Sequence, residues 1–156
     1  MHVYLIRHAH AEEGKDDAAR PLSKKGHKQI RRIGRFLRKT KALDATEFWH
    51  SALARSRETA ESLAKKLKSD ARLVKVSGIE NDDDPALIAA KLAKARHSVA
   101  VIGHDPHLSA LASLMVSGKA EPPCISINKG AILLLERREN RWVVQWQVTP
   151  ELLEAE

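Results

Sequence analysis

Residues 2–8 read His-Val-Tyr-Leu-Ile-Arg-His, an apolar-rich run followed directly by Arg7 and His8. The run predicts a β-strand, and α/β proteins bind their ligands where strands end. The guanidinium group of arginine matches phosphate oxygens, and a neutral imidazole can act as a nucleophile. The pair therefore indicates phosphoryl chemistry, although such a dipeptide also occurs on protein surfaces without a function.

The length and composition predict one domain over residues 1–156. A chain of 156 residues can bury a substantial core, and it is short for two ordinary domains. Hydrophobic residues make up 43% of the chain but aromatic residues only 4%. This aliphatic composition favours helices packed on a sheet.

Further strand-like runs lie at residues 47–50, 72–76, 98–103, 131–136 and 142–148, with helical segments between the earlier ones. The order predicts an α/β fold: a single-domain three-layer sandwich with a mainly parallel mixed sheet, helices on both faces and a carboxy-terminal β-hairpin. In the last strand, strict alternation would place Trp142 and Trp146 on the same face. Asp84-Pro85 and Asp105-Pro106 each predict a helix with an aspartate N-cap and proline in the first turn.

The formal net charge of +7 favours anionic partners. Much of it lies in residues 24–41, where Ile30, Ile33 and Leu37 fall on one face and basic residues on the others. This pattern predicts an amphipathic helix whose basic surface is either simply solvated or binds an anion. No aromatic residues interleave the charges, which argues against single-stranded nucleic acid as the partner.

The cellular setting is predicted from what the sequence lacks. The single cysteine, Cys124, excludes an intramolecular disulfide. No apolar run approaches the roughly 20 residues of a membrane span, and no secretory signal is present. We therefore expect a cytoplasmic protein that does not bind membranes.

Two further candidate site residues follow strands. Residues 98–103 form an apolar run that ends at His104, and a helix beginning behind it would place free backbone N–H groups and a positive dipole end beside the imidazole. Arg55 lies near the start of the helix after the second strand. Arg57 competes with it, and spacing alone does not choose between them.

Four segments in this order resemble the histidine phosphatase superfamily, and within it the SixA-type phosphohistidine phosphatases. They are Leu5-Ile6-Arg7-His8-Ala9, Arg20-Pro21-Leu22-Ser23 with Gly26, Ser51 with Arg55 and Thr59, and Ile102-Gly103-His104-Asp105-Pro106. The resemblance favours Arg55 over Arg57. Ala9 and Asp105 depart from it, since the family has glycine and asparagine there, and the methyl group of Ala9 puts the local loop geometry in question.

The resemblance implies a phosphoglycerate mutase-like fold and a metal-independent phosphatase without cofactors. His8 would attack phosphorus and carry the phosphoryl group covalently, while Arg7, Arg55 and His104 hold its oxygens. Nearby arginines should lower the pKa of His8 and keep it unprotonated. The expected substrate is a protein that carries phosphohistidine, such as a phosphotransfer domain or a phosphocarrier, and the expected state is a monomer.

Two residues have alternative interpretations. Arg20 is either a further phosphate contact or structural. Glu80 is the best-placed general acid by pattern, but residues 78–85 could equally be a solvated acidic loop in which Asp84 caps a helix. Phosphohistidine loses a neutral imidazole, which needs less help from an acid than an alkoxide does.

Other functional classes remain as alternatives or are excluded. A small-molecule phosphomonoesterase of the same superfamily and a non-catalytic phosphate-binding module both stay open. His8 and His10 with Glu12 and Glu13 could begin a metal site, but too few further ligands follow strands. The sequence has no P-loop, and Cys124 is followed six positions later by glycine instead of the arginine of a cysteine-dependent phosphatase.

Overall fold

A computed structural model describes residues 1–153, so the last three residues of the predicted domain, 154–156, lie outside the described residues. The strands are β1 (His2–Arg7), β2 (Glu47–His50), β3 (Arg72–Lys75), β4 (Val99–Gly103), β5 (Ile132–Arg138) and β6 (Arg141–Val148). The helices are α1 (Lys24–Thr40), α2 (Ala54–Leu67), α3 (Pro85–Lys94) and α4 (His107–Ser117). The predicted α/β class and element order are confirmed.

The six strands form one mixed sheet in the order β3-β2-β4-β1-β5-β6. Strands β1 to β4 run parallel, and β5 and β6 are antiparallel to their neighbours. In the register of β1 and β4, Arg7 lies opposite Gly103. The carboxyl ends of these two central strands therefore lie side by side.

Each face of the sheet carries its own hydrophobic layer. Successive side chains of a strand point to opposite faces, so Leu5 and Val101 join the layer under α3 and α4, whereas Ile6 and Ile102 join the layer under α1 and α2. All four of these side chains are fully buried. Helices cover both faces, as predicted for a mainly parallel sheet.

Helix α1 has the predicted buried side and basic outer surface. Ile30, Ile33 and Leu37 are buried, and the helix contains no acidic residue. Its N-cap is Ser23, whose side chain accepts a hydrogen bond from the N–H of Gly26. Within the part of the chain that the structure describes, none of the helices is long and apolar enough to cross a membrane.

The prediction that Trp142 and Trp146 share one face of β6 is wrong. Leu134 pairs with Trp146 but Leu135 pairs with Val144, so one extra residue interrupts the register. Such a β-bulge reverses the side-chain alternation beyond it. Trp142 therefore packs against the layer under α3 and α4, and Trp146 against the opposite layer.

The two Asp-Pro pairs also differ from each other. Asp84 caps α3 as predicted, with its side chain accepting the N–H of Ala86 at 3.0 Å. Helix α4 instead begins at His107, so Asp105 is not its N-cap residue. The Asp105 carboxylate reaches into the first turn and accepts the N–H and the hydroxyl of Ser109, at 2.9 and 2.8 Å. The helix terminus that was expected to offer free N–H groups is thus partly occupied by a side chain.

Candidate active site

The topology brings two histidines together at the carboxyl edge of the sheet. Strands β1 and β4 are neighbours, while the helices that follow them lie on opposite faces, which is the arrangement that opens a ligand crevice in α/β proteins. The N–H of His8 donates to the carbonyl of Gly103 at 3.0 Å. The imidazole rings of His8 and His104 have their centroids 5.0 Å apart.

The imidazole of His8 is held in one tautomer and kept neutral. Its Nδ1 lies 2.8 Å from the carbonyl oxygen of Ala9, which can only accept, so Nδ1 carries the proton and Nε2 keeps its lone pair. Burial lowers the pKa of His8 to about 4, with further lowering from Arg55 and Arg7. The expected direction of the shift is confirmed, but loss of hydration, and not the arginines, is its largest cause.

Alanine fits at position 9. Ala9 is not among the non-glycine residues of 1–153 that have a positive φ. Its backbone conformation therefore does not require glycine. The N–H of Ala9 donates to Oγ1 of Thr59 at 3.1 Å, and that hydroxyl donates to the carbonyl of Arg55 at 2.7 Å. Thr59 therefore links the loop that carries His8 to the helix that carries Arg55.

His104 is fully buried and bound by Ser51, which emerges from the end of β2. Ser51 Oγ lies 2.7 Å from Nε2 of His104 and accepts the N–H of Leu53 at 3.2 Å. The serine proton is then available to Nε2, which leaves the ring proton on Nδ1. Among the described residues Nδ1 has no hydrogen-bond partner. Burial is the largest effect that lowers the pKa of His104, to about 3, and repulsion from His8 in its protonated form is the next.

The fold distinguishes Arg55 from Arg57. Arg55 is 5% exposed and points toward the loop between β1 and α1, where it donates to the carbonyl and the carboxylate of Asp17, at 3.0 and 3.3 Å. The side chain of Arg57 is 46% exposed and lies beside Glu58 and Glu61 on the outer surface. Of these two arginines, only Arg55 is among the charges that lower the pKa of His8.

Arg7 is held in place by groups from two other segments. Its Nη1 donates to the carbonyl of Ile127 at 3.1 Å and lies 3.6 Å from a carboxylate oxygen of Asp105. Its Nε is buried, with no partner among residues 1–153. A buried guanidinium N–H without a protein acceptor is uncommon and remains available to an oxyanion.

Arg20 and Glu80 are not brought into contact with the two histidines. Arg20 donates to the carbonyl of Glu12 at 2.7 Å and to the Asp17 carboxylate at 3.0 Å, so one carboxylate bridges Arg20 and Arg55. The backbone of Glu80 forms a turn with Asp83. That Arg20 contacts phosphate and that Glu80 acts as a general acid both stay predictions.

His8 and His10, which would begin the alternative metal site, are hydrogen-bonded to different groups. The ring of His8 is bound to Ala9, whereas Nδ1 of His10 lies 2.7 Å from Oγ of Ser23. Within residues 1–153 there is no group of three or more histidine, cysteine or acidic side chains with the geometry of a metal site.

Comparison with known proteins agrees with this geometry. The sequence model of the histidine phosphatase superfamily (branch 1) matches residues 3–78, which include Arg7, His8 and Arg55. The protein histidine phosphatase SixA, solved in complex with tungstate, has 25% sequence identity and a TM-score of 0.87, over 99% of this chain and 100% of that chain. Residues 3–78 therefore carry the sequence signature of the histidine phosphatase superfamily, and the described chain has the fold of SixA.

Less similar structures share the fold. A SixA candidate from Agrobacterium tumefaciens is 21% identical with a TM-score of 0.79. The match covers 96% of this chain and 97% of that one. The alpha-ribazole phosphatase from Shigella flexneri is 13% identical with a TM-score of 0.77. The match covers 93% of this chain and 95% of that one. No curated protein sequence matches significantly. The phosphoglycerate mutase-like fold predicted from the sequence motifs is thereby confirmed.

Proposed function

We propose that this chain is a phosphohistidine phosphatase, which removes the phosphoryl group from a histidine of a protein through a covalent phospho-His8 intermediate. The observation that carries the proposal is the neutral His8 imidazole, with Nδ1 bound to Ala9 and Arg7, Arg55 and His104 around it. The similarity to a protein histidine phosphatase over nearly the whole of both chains supports it. We further propose that the protein is cytoplasmic, needs no metal ion and is a monomer.

The proposed first step is attack by Nε2 of His8 on phosphorus. A bond forms between Nε2 and phosphorus while the bond between phosphorus and the substrate imidazole breaks. That imidazole leaves with the electron pair of the broken bond and is neutral, because its other ring nitrogen carries a proton taken up from solvent. Hydrogen bonds from Arg7, Arg55 and Nδ1 of His104 stabilise the oxygens on which charge develops. Water then attacks phosphorus, and the bond between phosphorus and Nε2 breaks with its electron pair returning to the ring. His8 is neutral again with its proton on Nδ1, and the protons of the water leave with inorganic phosphate or pass to solvent.

The need for acid catalysis distinguishes substrates. An imidazole leaves from phosphorus with less proton transfer than an alkoxide, and the described contacts do not join Glu80 to the two histidines. Phosphohistidine therefore suits this site better than an ester. Glu80 as general acid and Arg20 as phosphate contact remain part of the proposal to be tested by substitution.

The decisive experiment follows phosphate released from a phosphorylated histidine-containing phosphotransfer domain. We expect turnover by the protein, rapid-quench trapping of phospho-His8 and no loss of activity with a chelator. His8→Ala should abolish turnover while retaining oxyanion binding. The matched control is His27→Ala on the exposed face of α1, which should retain full activity. Absence of both phosphate release and a phosphoenzyme would exclude the enzymatic function.

A small-molecule phosphomonoesterase is the second candidate, because the alpha-ribazole phosphatase neighbour has the same fold. Phosphohistidine proteins and small phosphate esters should be compared at equal concentrations. We expect a higher kcat/KM for the phosphohistidine proteins. The reverse order would favour the esterase. Oxyanion binding without turnover of any substrate would favour a binding module.

A further inference from the structure

Lys129 lies in a turn that is hydrogen-bonded to the Arg7-His8 dipeptide. The next residue, Gly130, donates its N–H to the carbonyls of Arg7 and His8, at 3.0 and 3.3 Å. The N–H of Arg7 in turn donates to the carbonyl of Ala131 at 3.2 Å. These bonds, made by the two residues that follow Lys129, hold the turn beside the candidate site, outside the region matched by the family model.

The side chain of Lys129 is half-buried among like charges. Burial, and then Arg7, Arg20 and Lys25, lower its pKa, and Glu13 provides only a weaker opposing effect. Among residues 1–153 no carboxylate lies within ion-pair distance of its ammonium group. An ammonium group placed among cations without a neutralising partner is unfavourable in the protein alone, and a bound anion would relieve the repulsion.

Two neighbouring groups indicate where this anion would lie. The hydrogen bonds of Gly130 to the carbonyls of Arg7 and His8 place the turn of Lys129 beside the imidazole, and the charge of Lys129 contributes to the lowered pKa of His8. The Nε of Arg7 is buried without a partner among the described residues. An oxyanion beside His8 could accept hydrogen bonds from both cations.

We propose that Lys129 is a substrate-binding residue whose ammonium group contacts a non-bridging oxygen of the phosphoryl group beside His8. This inference rests on the proposed function, because it assigns the same site a further phosphate ligand. A cation at this point neutralises part of the dianion's charge and adds a charge-assisted hydrogen bond to those of Arg7 and Arg55. The contact strengthens binding of any tetrahedral oxyanion at the site.

The test measures tungstate binding by calorimetry for the protein and its Lys129 variants. Lys129→Met keeps the apolar stem and removes the charge, so we expect about tenfold weaker binding, since a charge-assisted hydrogen bond contributes about 1.4 kcal/mol or more. Lys129→Arg should restore most of the affinity. Lys119→Met, at an exposed position after α4, is the control and should bind as the unaltered protein does. Thermal unfolding of each variant checks that it is folded.

The proposal would be overturned by unchanged tungstate affinity in Lys129→Met, by failure of Lys129→Arg to restore binding in a folded protein, or by no tungstate binding by the unaltered protein. If Lys129→Met raised only the KM for a phosphoprotein, Lys129 would contact the carrier protein and not the phosphoryl oxygens, which also overturns it. Failure of the proposed function would appear separately, as absent phosphate release and absent phospho-His8 in a protein that still binds tungstate through Lys129.

Discussion

At the scale of single residues, the proposed chemistry depends on burying two imidazoles without protonating them. His8 is 7% exposed and His104 is fully buried. Both keep hydrogen-bond partners suited to the neutral ring: a carbonyl for Nδ1 of His8 and a hydroxyl for Nε2 of His104. The same burial that keeps His8 nucleophilic makes the folded state sensitive to acid.

We predict that the free energy of unfolding falls as the pH falls below about 6.5, the ordinary pKa of histidine. The folded-state pKa values of His8 and His104 are lowered, to about 4 and about 3. Between those values and 6.5 the unfolded chain binds more protons, so acid favours unfolding by up to about 1.4 kcal/mol per pH unit for each histidine. Above 6.5 both states are neutral and this effect vanishes.

Chemical denaturation at several pH values between 7.5 and 4.5 measures this slope. His8→Asn should show a shallower dependence than the unaltered protein, because it removes one of the buried imidazoles whose pKa is lowered, which among the described residues are those of His8, His104 and His107. His27→Asn, at an exposed position, should keep the original slope. Equal slopes for all three proteins would show that His8 is not buried in neutral form.

Asp17 is predicted to compete with substrate for Arg55. Its carboxylate bridges Arg55 and Arg20, which lowers the pKa of Asp17, first through Arg20 and then through Arg55. Asp17→Asn removes the negative charge but keeps the backbone carbonyl that also accepts from Arg55. We expect tungstate to bind a few-fold more tightly.

Calorimetric titration measures this change, and Asp16→Asn supplies a matched loss of charge in the same loop. Asp16 should have a smaller effect, because no ion pair joins its side chain to Arg55 in the described residues. Weaker binding by Asp17→Asn would indicate that the carboxylate orients Arg55 for the substrate and does not compete with it.

At the scale of elements, the start of α1 determines the path of the loop after His8. Ser23 caps the helix, receives a hydrogen bond from Gly26 and lies 2.7 Å from Nδ1 of His10. A Cβ atom on Gly26 would overlap the carbonyl oxygen of His10. Glycine at this position therefore allows helix and loop to approach closely, which accounts physically for its place in the motif.

Gly26→Ala should destabilise the protein by about 1–3 kcal/mol, the usual range for overpacking, and should lower activity because the displaced His10 lies two residues from His8. Urea denaturation and kcat/KM measure the two effects. Gly14→Ala is the control: its Cβ would lie 3.5 Å from Cγ of Arg20, an ordinary contact. If the two variants were equally stable, the close approach at Gly26 would not be important.

At the scale of the whole molecule, the charge distribution favours negatively charged substrates. The chain carries a net charge of +7, and Lys24, Lys25, Lys28 and Arg31 form one exposed surface of α1. Lys25 is also one of the cations near Lys129. The positive surface of α1 therefore continues toward the candidate site, and long-range attraction should increase the association rate of an acidic phosphoprotein.

We predict that kcat/KM for an acidic phosphohistidine protein falls steeply as salt rises from about 50 to about 500 mM, over which the screening length falls roughly threefold. For a small phosphoramidate the fall should be less, because only the local site attracts it. Steady-state kinetics of both substrates over this salt range measure the difference. Parallel salt dependence would exclude a role for the wider surface.

Much of the fold and part of the candidate site could be predicted because their signals are local. Apolar runs and helical periodicity predicted each strand and α-helix, but not the short 3-10 helices at Asp17–Ala19 and Pro150–Leu153, and the motifs singled out Arg7, His8, Arg55 and His104. Ser51 was within a motif, but its contact with His104 required the neighbouring positions of β2 and β4. The sequence did not indicate the contact of Asp17 with Arg55, because the composition of a polar loop does not show which distant residues it contacts.

The sequence by itself determined the α/β class, the order of elements and the presence of histidine at two strand ends, because each depends on residues near one another in the chain. Only the tertiary structure decided that Ser51 contacts His104, that a bulge reverses the faces of β6, and that Lys129 lies in a turn beside Arg7-His8. These features depend on sheet order and register, which are set by the packing of the whole core and not by any single segment.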